Sequence, residues 1–541
     1  MVRASAPGAS EAEPSLRKDR GIEPTFRRIL VANRGEIAVR IIRTCRDLGV
    51  EVVAVHSDAD RDALHVRLAD AAVRLGPAPA TESYLRADRV VEAAVETGAQ
   101  AVHPGYGFLS ERASFAEAVE GAGLAFVGPA PETLASLGDK LAARRSARDV
   151  GVPIVPGIFE PLPVDDASVI GEIEATAERL GYPVLVKAAA GGGGRGMRRV
   201  DRREDLAASL AAAAHEARQA FGDGAVYLER LIEGGRHVEV QLLGDTQGRI
   251  VALGERDCST QRRHQKLVEE APAPRLTSAQ RAELHQLAVT VARSVGLRNA
   301  ATAEFLLAPD GAFYFLEVNA RLQVEHGVTE LVSGLDLVAE QLAIAAGQPL
   351  SEAVLAAAAR ATDPVGHAIE LRVSAEDQAR DFAPVPGTLT RWREPGGPGV
   401  RMDSGVAAGW RVSGDYDPLL AKVLVVAPAR AAAIARARRA VAEFETGGVQ
   451  TTLPFHAWLL DLPEFREARL RTDLVALHWR PEPLLRAAAE RAAEVVARAA
   501  RITSFHGAGP DATLPDGQPG PAGMPSAWEL AGRRAATERW P

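Results

Sequence analysis

The sequence predicts a multidomain protein, α/β at its start and α+β beyond, and three observations lead there. At 541 residues the chain is too long for one hydrophobic core, so two to four domains are expected. Between residues 27 and 128, apolar runs alternate with helical periodicity, the pattern of a parallel sheet covered on both faces. Beyond residue 180, apolar runs are joined by glycine-rich or Asp-Gly turns, the pattern of hairpins.

The composition excludes several function classes. Apolar content of 47% and charged content of 25% are those of an ordinary soluble protein, and a net charge of −8 leaves no footprint for nucleic acid or an anionic membrane. No uninterrupted apolar span is long enough for a transmembrane helix. Residues 1–24 are rich in Ala, Pro, Ser and Glu without an apolar core, which predicts a disordered extension and not a secretory signal. Cys45 and Cys258 lack metal-ligand spacing and read as structural residues of a protein from a reducing compartment, which predicts a cytoplasmic location. Of 63 basic residues only five are lysine: Lys18, Lys140, Lys187, Lys266 and Lys422. A chain that uses arginine almost everywhere keeps lysine where a compact, rotatable ammonium is required. Lys18 lies in the extension, so four positions need a reason.

Taken in order, residues 27–32, 33–49 and 51–57 form a strand, a helix and a strand. Two further alternations follow, 71–76 with helix 83–98 and 99–107 with helix 114–123, closed by strand 124–128. Ligand contacts belong at the carboxyl ends of such strands, where HPGYGFLSE (103–111) sits. No GxGxxG follows the first strand, so a dinucleotide site is not supported. Helix 139–151 carries Lys140, and YPVLVKAAAGGGGRGMRRV (182–200) then runs strand, glycines, strand. That order excludes a P-loop; a glycine loop closed between two strands can fold over phosphates, with Lys187 as the point charge.

A helix over 205–222, a strand over 225–232 and a hairpin over 236–257 come next. The donors Gln261, Arg262, Arg263, His264, Gln265 and Lys266 form either a solvated turn or the cationic wall of an anion site. One helix is expected from Gly327 to Gly347, then an α+β region with strands 367–376 and 387–393, a helix over 481–502 and an irregular Pro/Gly-rich tail.

The most informative stretch is 302–325. Asp310-Gly311 predicts a two-residue hairpin turn in which Pro309 pairs with Ala312, which places Glu304 opposite Glu317. Two like charges face to face are destabilising unless something positive lies between them. A divalent cation is the expected partner, with Asn319 as a third oxygen donor on the same face. In an extended continuation Arg321, Gln323 and Glu325 follow on that face. Phe305, Leu307, Tyr314 and Leu316 read as the opposite, apolar face, with Phe313 and Phe315 flanking the glutamates.

From about residue 27 to about 473 these residues resemble biotin carboxylases, through ILVANRGEIAVRIIRTCRDLG, HPGYGFLSE, VLVKAAAGGGGRGM, ERDCSTQRRHQKLVEEAPAP, FLEVNARLQVEHGVTE and GHAIELRV. The resemblance implies a Rossmann-like N-terminal domain over 25–138, an ATP-grasp domain over 139–347, a biotin carboxylase C-terminal domain over 360–475, and a helix with an irregular tail over 481–541. It implies an ATP site on Lys140, Lys187, the loop containing Gly192, Gly193, Gly194, Gly196 and Met197, and on Glu229, Leu231, His237 and His264, with Gln261 and Gln265 beside them. Magnesium or manganese falls on Glu304, Glu317 and Asn319. Bicarbonate falls on Lys266, Arg321, Gln323, Val324 and Glu325, with Glu325 as base, and Arg372 faces the biotin ureido oxygen. Lys422 receives no role from it.

Ala320 and Gly327 depart from the family, which often has Thr and Pro there. The implied reaction is ATP- and bicarbonate-dependent carboxylation of biotin, the first half-reaction of an acetyl- or propionyl-CoA type carboxylase. The implied partners are a biotin carboxyl carrier protein, a carboxyltransferase subunit and a second copy in a homodimer. Biotin is expected in trans, because no methionine neighbours a lysine and no lysine follows Lys422. The competing readings are another ATP-grasp ligase of the carbamoyl-phosphate type, disfavoured by the absence of an internal repeat, and a silent regulatory subunit.

Overall fold

The computed structural model describes residues 26–162, 167–188 and 197–482. The expected extension at 1–24, the glycines of the loop and the tail from 483 onward lie outside them.

The alternating pattern at the start folds as read. Strands β1 (Arg28–Val31), β2 (Glu51–Ser57), β3 (Ala71–Gly76), β4 (Ala101–His103) and β5 (Ala125–Phe126) form a parallel sheet in the order β3-β2-β1-β4-β5. Leu30, Val53, Val55 and Val102 enter one hydrophobic cluster and Ile29, Val31, Val52 and Ala101 another, so both faces are covered. The first crossover helix, Gly35–Leu48, buries Ile37, Ile41, Ile42 and Cys45 and stops at Gly49 in the left-handed conformation, φ 72°.

A second sheet is antiparallel, in the order β6-β9-β7-β8, from β6 (Gly157–Leu162), β7 (Val184–Ala188), β8 (Met197–Val200) and β9 (Val226–Arg230). It has its own core, in which Ile173, Leu206 and Leu210 from two covering helices meet Val186 and Leu228. Lys187 pairs with Met197 across β7 and β8, so the glycine run joins neighbouring strands, as its order in the sequence requires.

The largest sheet has eight strands. β10 (Arg236–Gly244), β11 (Ile250–Arg262), β12 (Gln265–Ala271), β13 (Asn299–Leu307), β14 (Phe313–Asn319) and β15 (His367–Ser374) are joined by strands Leu419–Ala427 and Val400–Ser404. The β12–β15 pair, with Val268 opposite Leu371, fuses the middle and third regions into one sheet. Composition carries no sign of this fusion, because pairing between strands about a hundred residues apart leaves no local pattern.

Two expectations need correction here. The single helix after Gly327 is two, His326–Ser333 and Leu337–Ala345, because Gly334 adopts φ 77° and the Asp336 side chain caps the second by accepting from Ala339 N–H. The run 387–393 is two short strands, Gly387–Thr388 and Arg391–Arg393, which pair with different partners.

The carboxylate hairpin is a third correction, with the same outcome reached differently. Ala308 N–H donates to Ala312 O at 2.9 Å, so the turn holds Pro309, Asp310 and Gly311, one residue more than expected. Leu307 then faces Phe313 and Phe305 faces Phe315, but a bulge at Leu316 restores Glu304 opposite Glu317. The faces change accordingly. Phe305, Leu307, Phe313 and Phe315 form the core face, with the rings of Phe305 and Phe315 5.7 Å apart at 73°. Tyr314 leaves the apolar face, and Leu316 lines a cavity beside Glu304 and Glu317.

The bulge is thus what lets aromatic residues face inward while the glutamates face the cavity. Deleting Val318, which lies beyond the bulge, is expected to abolish the cooperative thermal transition, since a one-residue slip there turns Asn319 or Glu317 onto the core face of β14. Leu316→Ala, which preserves the count, should cost only about 1 kcal/mol in denaturant unfolding. Equal stability of the two variants would contradict this account of the hairpin.

Candidate active site

Where the three regions meet, a cavity of about 1000 Å³ opens over the large sheet. The segments after β1 and β4 reach it, through Asn33 and Arg34 and through Tyr106, Gly107 and Phe108 of HPGYGFLSE. From the middle region it is lined by Lys187, Met197, Glu229, Leu231, His237, Gln261, His264, Gln265 and Lys266, and by Glu304, Glu317, Asn319, Arg321, Gln323 and Val324. Arg372 arrives on β15. Glu325 lies just beneath, fully buried, where the chain turns into helix His326–Ser333. Lys140 opens helix Lys140–Asp149, and its side chain lies outside the described residues, as do Gly192, Gly193, Gly194 and Gly196.

Lys266 is the centre of the polar wall. Its ammonium donates to Glu325 Oε1 at 2.6 Å, to Glu304 Oε1 at 3.0 Å and to Glu239. Burial opposes its charge, but Glu239, Glu304 and Glu325 outweigh that and hold its pKa well above the ordinary lysine value. Glu239 and Glu304 are in turn pulled below the ordinary carboxylate range despite their burial, Glu239 mainly by Lys266 and Arg256, Glu304 mainly by Lys266 and His237. Burial also opposes the charge on His237, yet Glu304, at 3.1 Å, lifts its pKa to about 9.

The positive charge that the hairpin demands therefore comes, at Glu304, from Lys266 and His237. Asn319 Nδ2 at 2.9 Å and Gln323 Nε2 at 3.2 Å also donate to Glu304 Oε1. Arg372 clamps two carboxylates, donating to Glu269 Oε1 at 2.6 Å and to Glu325 Oε2 at 2.9 Å. Arg321 donates to Glu111 at 2.9 Å, to Asn319 Oδ1 at 3.0 Å and to Gln323 Oε1 at 2.9 Å. On the opposite wall Lys187 donates to Glu229 at 2.5 Å, and Arg144 pairs with the same carboxylate.

The donor-rich run after Cys258 divides between its two readings. Arg263 and His264 form a tight turn at φ 48° and 65°. Arg262 and Arg263 both pair with Asp381, and Arg262 stacks 4.8 Å above Phe382, so the arginines fasten the third region and form no wall. Gln261, His264, Gln265 and Lys266 do line the cavity.

Several residues of the site escaped the sequence reading. Glu239 is legible afterwards, since in RHVEV it lies two residues from His237 and shares its face. Arg256, fully buried, donates to Glu239, Gln241, Thr302 and Thr329, and only its burial reveals it. Glu111, Arg144 and Glu269 belong to motifs already noted, but nothing in their spacing marks them. Cys45 and Cys258 are both free and buried, Cys258 with its Sγ 3.9 Å from Glu325 Oε1.

Comparison with known proteins identifies the relatives of the chain as a whole. The family described as Biotin carboxylase, N-terminal domain matches residues 25–134. Carbamoyl-phosphate synthase L chain, ATP binding domain matches 139–353, and Biotin carboxylase C-terminal domain matches 370–476. A biotin carboxylase from Nostoc sp. is 46% identical over 452 residues, 83% of this chain and 98% of that protein. A biotin-dependent acyl-coenzyme A carboxylase alpha3 subunit from Mycobacterium leprae is 48% identical over 436 residues, 81% of this chain and 71% of that protein. Among solved structures, the biotin carboxylase domain dimer of Hydrogenobacter thermophilus 2-oxoglutarate carboxylase, in complex with MgADP, ADP and bicarbonate, is similar with a TM-score of 0.78 and 41% identity, covering 84% of this chain and 98% of that one. The chain belongs to the biotin carboxylase family, with the three-domain architecture of that family, and is an ATP-dependent carboxylase.

Proposed function

We propose that this protein carboxylates biotin carried on a separate protein, at the expense of ATP and bicarbonate, as the first half-reaction of an acyl-CoA carboxylase. One observation carries the reading: a buried ammonium, Lys266, bridges the carboxylate of Glu304 to that of Glu325, and Arg372 holds the other oxygen of Glu325. This arrangement keeps an anion-binding cation and a metal-ligating carboxylate in one cavity, with a base directly beneath them. The acyl-CoA acceptor follows the alpha3 relative; the 2-oxoglutarate carboxylase relative shows that similar chains serve other acceptors.

Glu304, Glu317 and Asn319 fit a magnesium or manganese ion. They are oxygen donors on the cavity face of the hairpin, and the carboxylate of Glu304 is kept ionised by Lys266 and His237. Such an ion, when bound, neutralises charge on the phosphates of ATP. Lys187, fixed by Glu229, supplies a point charge to those phosphates, and Lys140 and the glycine loop are assigned to the same task.

Lys266, Arg321, Gln323 and the Val324–Glu325 segment bind bicarbonate. Glu325 takes its proton while the bicarbonate oxygen attacks the γ-phosphate, giving ADP and carboxyphosphate. Carboxyphosphate splits into carbon dioxide and phosphate, the phosphate takes the ureido N–H proton of biotin while Arg372 stabilises the resulting enolate oxygen as a fixed cation, and the ureido nitrogen then adds to carbon dioxide. Carrier protein, carboxyltransferase and a second copy of this chain are the proposed partners, in the cytoplasm; among the described residues no helix is long and apolar enough to cross a membrane.

The direct assay is ADP release from the purified chain with Mg²⁺, bicarbonate and free biotin. Turnover that depends on bicarbonate and rises with biotin is expected; ATP hydrolysis indifferent to both would refute the reading. Lys266→Arg should lower turnover by more than about a hundredfold, since a planar guanidinium cannot serve three carboxylates at a side chain only 12% exposed. Near-normal turnover in that variant would remove Lys266 from the reaction. Glu317→Gln should raise the Mg²⁺ requirement by about tenfold or more at unchanged thermal stability. An unchanged Mg²⁺ dependence would take Glu317 off the metal.

A further inference from the structure

Lys422 is the lysine that neither the resemblance nor the proposed reaction uses. Its side chain is fully buried, and its ammonium donates to the backbone carbonyl of Val324 at 2.7 Å. Two carboxylates from other parts of the fold share it, Glu36 of helix Gly35–Leu48 at 3.3 Å and Asp403 of strand Val400–Ser404 at 3.8 Å. Burial opposes the charge, and Glu36, Glu370 and Asp403 together outweigh it. An ammonium can turn three protons toward acceptors on different elements; a guanidinium plane of greater bulk cannot fill the same closed space.

Val324 immediately precedes the base. We propose that Lys422 is a positioning residue for Glu325, fixing the peptide from which the base projects; this rests on the reading of Glu325 above. The unit between the Val324 carbonyl and the Glu325 Cα is planar, so holding the carbonyl orients the Glu325 N–H and the start of its side chain together. Strand Leu419–Ala427 pairs with β15 so that Lys422 stands opposite Arg372 and their side chains share a face. The two cations grip the same residue from its two ends: Arg372 holds the carboxylate of Glu325 at 2.9 Å and Lys422 the carbonyl before it.

A second contact on that strand is independent of charge. Leu424, two residues on and on the same face, packs so closely over Gly327 that a Cβ there would lie 2.2 Å from Leu424 Cδ2. Gly327 carries no side chain, and the space that one would need is the space that Leu424 occupies. Strand Leu419–Ala427 therefore seats the segment from Val324 to Gly327 at two points, one polar and one apolar, and the base lies between them.

The test compares Lys422→Met and Leu424→Ala with the wild-type chain by steady-state ADP release, varying bicarbonate and ATP separately. Loosening the peptide should raise the KM for bicarbonate about tenfold in Lys422→Met and about threefold in Leu424→Ala, with the KM for ATP within about twofold of wild type. A purely structural role predicts another pattern, a fall in kcat proportional to lost folded protein with both KM values unmoved, and that pattern would overturn the proposal. Should Lys422→Met fail to fold because Glu36 and Asp403 lose their counter-charge, Leu424→Ala decides alone, as it disturbs no charge. Wild-type turnover with an unmoved bicarbonate KM in the folded variants defeats this inference only. A wild-type chain without bicarbonate-dependent turnover defeats the proposed function together with it.

Discussion

The site is organised around the cost of burying one ammonium among carboxylates. Removing Lys266 from water is expensive, and so is removing Glu239, Glu304 and Glu325; only their mutual contacts make the cluster tolerable. The same requirement extends outward. Glu239 needs Arg256, Glu325 needs Arg372, and Glu304 needs His237, so each charge recruits another until the network reaches donors held by the sheet. A network of this kind contributes little net stability, but it fixes where each charge stands. Fixed charges lining a cavity are what stabilise a reaction whose substrates are anions.

That network demands a rigid frame, and the eight-stranded sheet is the frame. Arg372 on β15 and Lys422 on the next strand are cross-strand neighbours, and Lys266 lies on β12, whose later residues pair with β15, so their spacing is set by hydrogen bonding between strands, not by side-chain choice. Because the sheet passes from the middle region into the third without a break, the third region is part of the site and not an appendage to it. The first region contributes through Glu111, which holds Arg321, and through Glu36, which shares Lys422. Each part of the chain thus supplies a counter-charge to a residue borne by another.

Much of this was legible in the amino-acid order. The parallel sheet, the strand–glycine–strand unit, the pairing of Glu304 with Glu317 and the scarcity of lysine are local patterns of period, turn residue or composition, and local patterns survive in one dimension. The hairpin shows where such reading stops. Its turn is longer by one residue and a bulge at Leu316 compensates, so the right pairing followed from the wrong count. Burying Phe313 and Phe315 against Phe305 decided the register, and burial depends on what lies beneath the hairpin.

The sequence alone determined which residue types are present and how they are spaced, and these sufficed for the fold class, the family and the candidate residues on each strand. Tertiary structure alone decided which of those residues meet. Glu239, Arg256 and Glu269 matter because strands distant in the chain bring them within hydrogen-bond range of the candidates, and Lys422 acquired a partner only when its strand was laid beside β15 and over Val324. The physical reason is that a counter-charge is defined by distance in space, falling off over a few ångströms, whereas the sequence records only distance along the chain.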